Sequence, residues 1–183
     1  MAKVGLKNLV YAVLDTETGD YGTPASLGKA VSSSVSPSSA DAKLYADDTL
    51  AESDSTFVSA TVTLEVDDAR DATVLAPLLG HSVSTGEVVR NANDVAPYVG
   101  IGRIVPKIVD NVKAYKAEFL CKVKFKEPNQ EDTTKADNVE FKTTSIEGEA
   151  SAIASGVWSK GKEFATESEA QEYLDTCFGV VTP

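Results

Sequence analysis

Few residues in this sequence could perform catalysis, and they do not form a recognisable arrangement. His81 is the only histidine, so a histidine-based zinc site would lack its further ligands. No nucleophile-elbow pattern accompanies it, which leaves a Ser-His-Asp triad without support, and we expect a satisfied or solvated ring. The acid pairs Asp47-Asp48 and Asp67-Asp68 could bind a divalent cation or act as a glycosidase pair, but calcium-loop spacing is absent. Solvated faces and a helix cap explain these acids better.

Two glycine-containing segments could suggest nucleotide binding, but neither matches the full motif. A phosphate loop ending at Gly28-Lys29 needs glycine where Thr23 stands and a hydroxyl residue where Ala30 stands. The segment Gly100-Ile101-Gly102 is too short for a dinucleotide fingerprint, since Val105 occupies the third glycine position. We therefore expect no enzymatic activity, no cofactor and no metal ion.

The composition indicates one acidic domain. The chain has 183 residues, with 28 Asp and Glu against 17 Lys and Arg and a formal net charge of -11. Such a surface repels phosphate, which argues against tight nucleic-acid binding but not against the passage of nucleic acid through a channel. Cys121 and Cys177 form no disulfide framework and are expected to be small core residues.

No segment of the sequence is long enough to span a bilayer. The apolar run Leu9–Leu14 is too short for the core of a signal peptide, and Asp15 ends it without a cleavage site. The sequence therefore predicts a soluble protein that is made in the cytoplasm and does not bind a membrane.

The first third of the chain predicts strands of unequal character. Val4–Leu14 has the composition of a buried strand, whereas residues 15–54 are rich in Ser, Thr, Ala, Gly and Asp. We interpret this polar stretch as strands joined by a long exposed excursion, with a disordered linker as the alternative. In Phe57–Val66, apolar residues alternate with Ser, Thr and Glu, which is typical of a half-buried strand.

The remaining pattern predicts two helices and a large hairpin. A short or kinked helix near 68–79 begins at acidic caps and ends at Gly80. The strands Val112–Lys126 and Asn138–Glu149 would pair as an antiparallel hairpin. A capping box at Thr166–Glu169 opens an amphipathic helix near 166–178. The fold class is therefore α+β, mainly antiparallel β, with one domain over residues 1–183.

Order and spacing of several short stretches resemble the phi13-type major tail proteins of siphophages over nearly the full length. The stretches are Val4–Ala12, Tyr21–Pro24, Leu44–Asp48, Leu78–Gly80, Tyr98–Gly102, Phe125–Pro128 and Ile146–Gly148, with Trp158 before the C-terminal helix. The chain ends after that helix, so we expect it to lack the immunoglobulin-like domain that some relatives append.

The resemblance implies a β-sandwich or barrel of the tail-tube type flanked by a helix. It implies hexameric rings, each subunit lending four strands to a shared inner barrel, and stacking of the rings into a tube in the virion. The implied partners are further copies of the chain, the tape-measure protein inside, and terminator and baseplate proteins at the ends. DNA would pass through during ejection without specific binding.

Two sets of residues are candidates for assembly on this interpretation. The hairpin is the candidate inner wall, because a row of lysines lies on the face opposite its apolar residues. We expect these lysines, Lys116, Lys122, Lys124 and Lys126, to pair with acids on neighbouring strands, Glu140 and Glu147. Two turns are candidate ring-stacking loops: Tyr21, Gly22, Thr23 and Pro24, then Asn129, Gln130, Glu131 and Asp132. The alternatives are a tail terminator, a head decoration protein, an enzyme carried on a tail, or a carbohydrate-binding β-sandwich module.

Overall fold

The computed structural model describes residues 2–46, 49–67, 71–109, 111–130 and 143–180. Within these residues the protein is mainly antiparallel β with two short helices, which confirms the predicted fold class. The strands are β1 (Ala2–Lys3), β2 (Lys7–Val13), β3 (Ala25–Ser26), β4 (Ala30–Ala46), β5 (Thr49–Val66), β6 (Ser82–Ser84), β7 (Glu87–Val89), β8 (Val99–Val109), β9 (Val112–Phe125), β10 (Thr144–Ala150) and β11 (Ser159–Phe164). The helices are α1 (Ala76–Leu79) and α2 (Glu167–Cys177).

One large antiparallel sheet forms the body, in the order β3-β2-β8-β9-β10-β5-β4. Strand β9 is longer than its neighbours on one side, so it pairs with β11 over its first part and with β10 near its end. Arg103 on β8 donates a hydrogen bond to Ser33 on β4, although three strands separate β4 from β8 in the sheet order. The sheet must therefore fold over on itself, as strongly twisted sheets do.

Apolar side chains pack on both faces of the sheet. The first core fills the space between the folded-over layers: Leu64, Val66, Ile101, Val123, Phe125 and Ile146 are among its buried members. The second core lies under α2 and contains Ile104, Ala117, Phe119, Cys121, Leu174 and Phe178. Strand β2 serves both, because successive side chains point to opposite faces. Leu9 and Tyr11 enter the first core, while Ala12 enters the second.

The predicted helices are present, and their ends follow local rules. A π-helical turn (Asp71–Leu75) continues into α1, where Gly80 closes the helix in the left-handed conformation at φ 78°. Pro77 lies in the first turn of α1, where proline is tolerated. In α2 the Thr166 side chain accepts from the Glu169 backbone and the Glu169 side chain accepts from the Thr166 backbone, so the predicted capping box is confirmed.

Most of the described part of the polar stretch at 15–54 lies in strands, namely β3, β4 and the start of β5. Strands β4 and β5 pair over their whole lengths, from Ala30 opposite Val66 to Ala46 opposite Thr49. Strand β10 accompanies β5 only from Ala60 to Val66. Beyond that point the described sheet contains only β4 and β5. We call the paired segments 38–46 and 49–59 the arm.

Several strands were not predicted from the sequence. Strand β8 is a central, largely buried strand, and its near-continuous apolar run lacks the alternation that marked β5 and β9. The hairpin β6–β7 is short, and its turn sequence Thr85-Gly86 differs from the usual Asn-Gly. Strand β11 is mostly exposed and polar, so no apolar pattern marks it.

We expect Thr85→Asn to stabilise the protein by about 1 kcal/mol. Thr85 and Gly86 both have positive φ, 50° and 86°, as a two-residue hairpin turn requires. A β-branched residue is strained in this conformation, whereas asparagine adopts it readily. Urea unfolding measures the effect, with Thr85→Val as the matched control because it keeps the branched side chain. Equal stabilities of the Asn and Val variants would contradict the strain.

Candidate functional site: a polar wall and an open strand edge

Four adjacent strands present one continuous hydrophilic surface. Strands β4, β5, β10 and the end of β9 follow one another in the sheet. Their inward side chains fill the first core, and their outward side chains form a surface that we call the polar wall. Its residues are Ser32, Ser34 and Ser36 of β4; Thr61, Thr63 and Glu65 of β5; Ser145, Glu147 and Glu149 of β10; and Lys122 and Lys124 of β9, with Lys126 just beyond.

The register arranges these side chains in rows across the sheet. Glu149 lies opposite Lys124 on one side and Thr61 on the other, and Thr61 in turn lies opposite Ser36. Side chains at directly opposite positions of antiparallel strands are close enough to interact. The rows therefore place acids between lysines and hydroxyl groups.

Charge on the polar wall is balanced. Three acids, Glu65, Glu147 and Glu149, face three lysines among the wall residues named above. Lys126 Nζ lies 4.0 Å from Glu147 Oε1, and both side chains are well exposed, so this pair contributes little to stability. Hydrogen bonds from Thr143 and from Ser32, the latter at 2.9 Å, lower the pKa of Glu65.

The predicted single row of lysines is wrong, because β9 changes face part-way along. Val99 lies opposite Val123, but Ile101 lies opposite Leu120, so β9 has an extra residue between these pairs. Such a β-bulge reverses which face the following residues occupy. Phe119 before the bulge belongs to the second core, whereas Val123 after it belongs to the first. Lys116 therefore points away from the polar wall.

Lys116 belongs instead to a half-buried charged group inside the fold. Its Nζ bonds Glu118, whose other oxygen accepts from Arg103 Nε at 2.8 Å. Burial raises the pKa of Glu118, but Lys116 and Arg103 outweigh this effect and the pKa lies below its ordinary value. Arg103 also donates to Ser33, so the group holds β4 against β8. No pattern in the sequence distinguishes Arg103 from a surface residue.

Lys122 and Lys124 both lie over the ring of Tyr98. Their Nζ atoms are 4.2 Å and 5.4 Å from the ring centroid, within the range of cation–π attraction. Both lysines lie on the polar wall, and the sequence did not indicate Tyr98 as their partner. The contact fixes two positive charges at the edge of the wall.

Strand β4 has an unpaired edge along its length. In the described residues β5 occupies one edge of β4, and no strand pairs with the other. Residues 36–41 are exposed where the structure describes their side chains. Pro37 removes one backbone donor, a common device on edge strands, so the part of the edge beyond it is the better template for pairing.

The two predicted stacking loops differ in their role. The Tyr21 ring packs edge-to-face on Phe119 and Phe178, and its hydroxyl donates to the Cys121 carbonyl at 2.8 Å. Tyr21 therefore packs within its own subunit and is not an exposed loop tip, and its burial raises the pKa of the hydroxyl. Gly22 donates its N–H to Val13, and Thr23 and Pro24 lead into β3.

The second loop is only partly described. Asn129 and Gln130 are exposed and follow the end of β9, which leaves them free for an outside contact. Glu131, Asp132 and Glu140 lie outside the described residues. The predicted hairpin is confirmed to the extent that β9 and β10 pair antiparallel, Gly148 opposite Phe125, although β10 begins at Thr144.

The described residues contain no arrangement that indicates catalysis or metal binding. Among them, no group of three or more His, Cys, Asp or Glu could hold a metal ion. A cavity of about 630 Å³ is bordered by Cys121 and Cys177, but burial raises the pKa of both thiols, so neither is an activated nucleophile. No described helix has the length and apolar character needed to cross a membrane. The sequence matches no protein-family model and no curated protein.

Proposed function

We propose that this protein is the subunit of a phage tail tube, which assembles into hexameric rings that stack and guide DNA during ejection. The observation that carries the proposal is the union of a four-stranded polar wall with a long unpaired edge on the same strand, β4. The resemblance to phi13-type major tail proteins, over the stretches quoted above, is consistent with it.

The unpaired edge favours self-association. A long edge strand presents unsatisfied backbone donors and acceptors, and in a monomer it invites uncontrolled aggregation. Pairing with the next copy satisfies those groups, and a head-to-tail contact that closes gives a ring. In the arm, β4 and β5 pair only with each other, and a two-stranded ribbon is marginally stable by itself. The arm is therefore expected to gain order from a neighbouring subunit.

The polar wall suits the inside of a conduit for DNA. A wall with excess lysine would release counterions from DNA and hold it. Here three lysines are balanced by three acids, and the rest of the wall consists of Ser and Thr hydroxyls. This surface neither attracts nor strongly repels a phosphate backbone. The other face of the same strands is the first core, which keeps the wall rigid.

The dimensions of a shared barrel fit a duplex. If each subunit of a hexamer contributes β4, β5, β10 and the end of β9, the barrel has about 24 strands. At about 4.8 Å between strands, with tilt, its backbone diameter is roughly 40–50 Å. Side chains fill part of that width, and a DNA duplex about 20 Å wide still passes. The tape-measure protein would occupy the same lumen before ejection, with terminator and baseplate proteins at the tube ends and the virion as its location.

A carbohydrate-binding module is less well supported by the aromatic residues. Such modules need exposed rings, whereas Trp158 stacks on Phe57 at 4.7 Å between centroids and both pack against the first core. A tail terminator or decoration protein would share the β-rich fold but would stop at one ring or bind singly. Assembly state therefore separates these alternatives.

Electron microscopy of the concentrated, purified protein tests the proposal. We expect tubes of uniform diameter, and a reconstruction with the polar wall lining the lumen. Single rings would indicate a terminator instead, and particles that stay monomeric at every concentration would contradict self-assembly. A tube with β10 on its outer surface would contradict the assignment of the wall.

A further inference from the structure

Both ring nitrogens of His81 contact a carboxylate. Nδ1 lies 2.7 Å from Asp94 Oδ2, and Nε2 lies 2.9 Å from Glu127 Oε2. The His81 side chain is only 7% exposed. A neutral imidazole carries one N–H and one lone pair, so it donates to only one of these carboxylates. With both carboxylates ionised, only the doubly protonated imidazolium donates to both of them.

The ring joins three segments that are distant in the sequence. His81 follows the left-handed Gly80 at the end of α1, and its backbone N–H donates to Ala76 at 2.9 Å. Asp94 lies in the loop after β7 and accepts from the Asn91 backbone at 2.8 Å. Glu127 opens the segment that follows β9. His81 thus fastens that segment to the α1–β7 region, together with Arg90, which contacts the other oxygen of Glu127.

We propose that His81 is a pH-operated latch that holds the segment Glu127–Asn129 firmly when protonated and loosens it when neutral, with Arg90 as the contact that remains. Glu127 is the partner that loosens. Its side chain is 49% exposed, whereas that of Asp94 is 18% exposed and is fixed by Asn91. The remaining proton stays on Nδ1, which continues to donate to Asp94. The Nε2 lone pair then faces the Glu127 carboxylate, and the two repel each other.

The surrounding charges fit this behaviour. The ionisable groups acting on His81 in the described residues are Asp94 and Glu127, and Arg90 Nε donates to the other oxygen of Glu127 at 3.1 Å. When His81 loses its proton, Glu127 keeps its contact with Arg90 but loses the charged donor at Nε2, so the hold on Glu127 weakens.

The pH range of the latch follows from its two ends. The Asp94 hydrogen bond raises the pKa of His81 above its ordinary 6.5, with burial opposing and Glu127 assisting. The contribution of His81 is therefore complete below 6.5 and is lost as pH rises through the raised pKa. The Asn91 backbone and then His81 lower the pKa of Asp94 below 3.8. The contribution of Asp94 is complete above that value and is lost as pH falls through the lowered pKa. The latch is closed between the two.

An NMR titration of the ¹⁵N-labelled subunit between about pH 5 and about pH 9 tests the latch. His81 is the sole histidine, so its ring signals are unambiguous. We expect a midpoint above 6.5, shared by the backbone amide signals of Glu127 and Asn129. Ring titration without any response of the two amides would overturn the proposal.

Two variants sharpen the result. Glu127→Gln keeps the shape of the side chain but removes its charge, so we expect a lower midpoint and amides that no longer follow it. Glu149→Gln on the polar wall is the matched control and should keep the parent midpoint. If Glu127→Gln titrates like the parent in ring and amide signals, the latch is refuted. The experiment uses the isolated subunit, so failure of the latch and failure of tube formation are separate results.

Discussion

Shortening the arm abolishes tube formation and leaves the subunit folded; this is the largest effect that we expect on assembly. Ser39 lies opposite Phe57, so residues 40–56 can be replaced by Asn-Gly, a pair suited to a two-residue hairpin turn. The body keeps Phe57 with its Trp158 contact, and it keeps β5 from Ala60 to Val66, where β10 pairs. The variant loses residues 40–46 of β4, which make up most of the open edge beyond Pro37.

Two measurements separate assembly from folding in this variant. Thermal unfolding should show a cooperative transition close to that of the parent, because the removed residues pair only with each other in the described sheet. Electron microscopy should show no tubes. A full-length control with Ser39→Asn changes only the exposed junction residue and should assemble normally. Tubes from the shortened chain would show that the arm is not needed and would weaken the proposed interface.

Leu174→Ala should destabilise the subunit by about 2–5 kcal/mol, the largest effect that we expect on folding. Leu174 is fully buried in the second core, where α2 packs on β8 and β9. It lies beside Phe178, and both side chains crowd Gly102 so closely that a Cβ there would meet them at 3.1–3.3 Å. With the space so filled, truncation leaves a cavity that the neighbours cannot close without moving. A chain of this size should then melt about 2–4 °C lower for each kcal/mol.

Urea unfolding measures this loss, with Glu172→Ala as the control on the same helix. Glu172 is exposed, so its removal should change stability by no more than about 0.5 kcal/mol. If Leu174→Ala unfolds like the parent but no longer assembles, the apolar face of α2 is an interface between subunits. In that case its role as a brace within the subunit would be wrong.

Elements governed by local rules were predictable. Strand β5 alternates apolar and polar residues from Ala60 to Val66, and its even-numbered positions are buried, as the pattern indicated. Helix α2 begins at Thr166 because the capping box satisfies backbone donors within one turn. Both signals depend only on residues near each other in the sequence.

The sequence alone thus determined the mainly antiparallel fold class, the β9–β10 hairpin and the C-terminal helix. Only the tertiary structure decided which lysines share a surface, because the bulge in β9 arises from its pairing with β8 and turns Lys116 away from Lys122 and Lys124. It also decided the partners of His81, which lie 13 and 46 residues away along the chain. Contacts over such separations depend on how the strands stack and fold over, and no local pattern of residues encodes that arrangement.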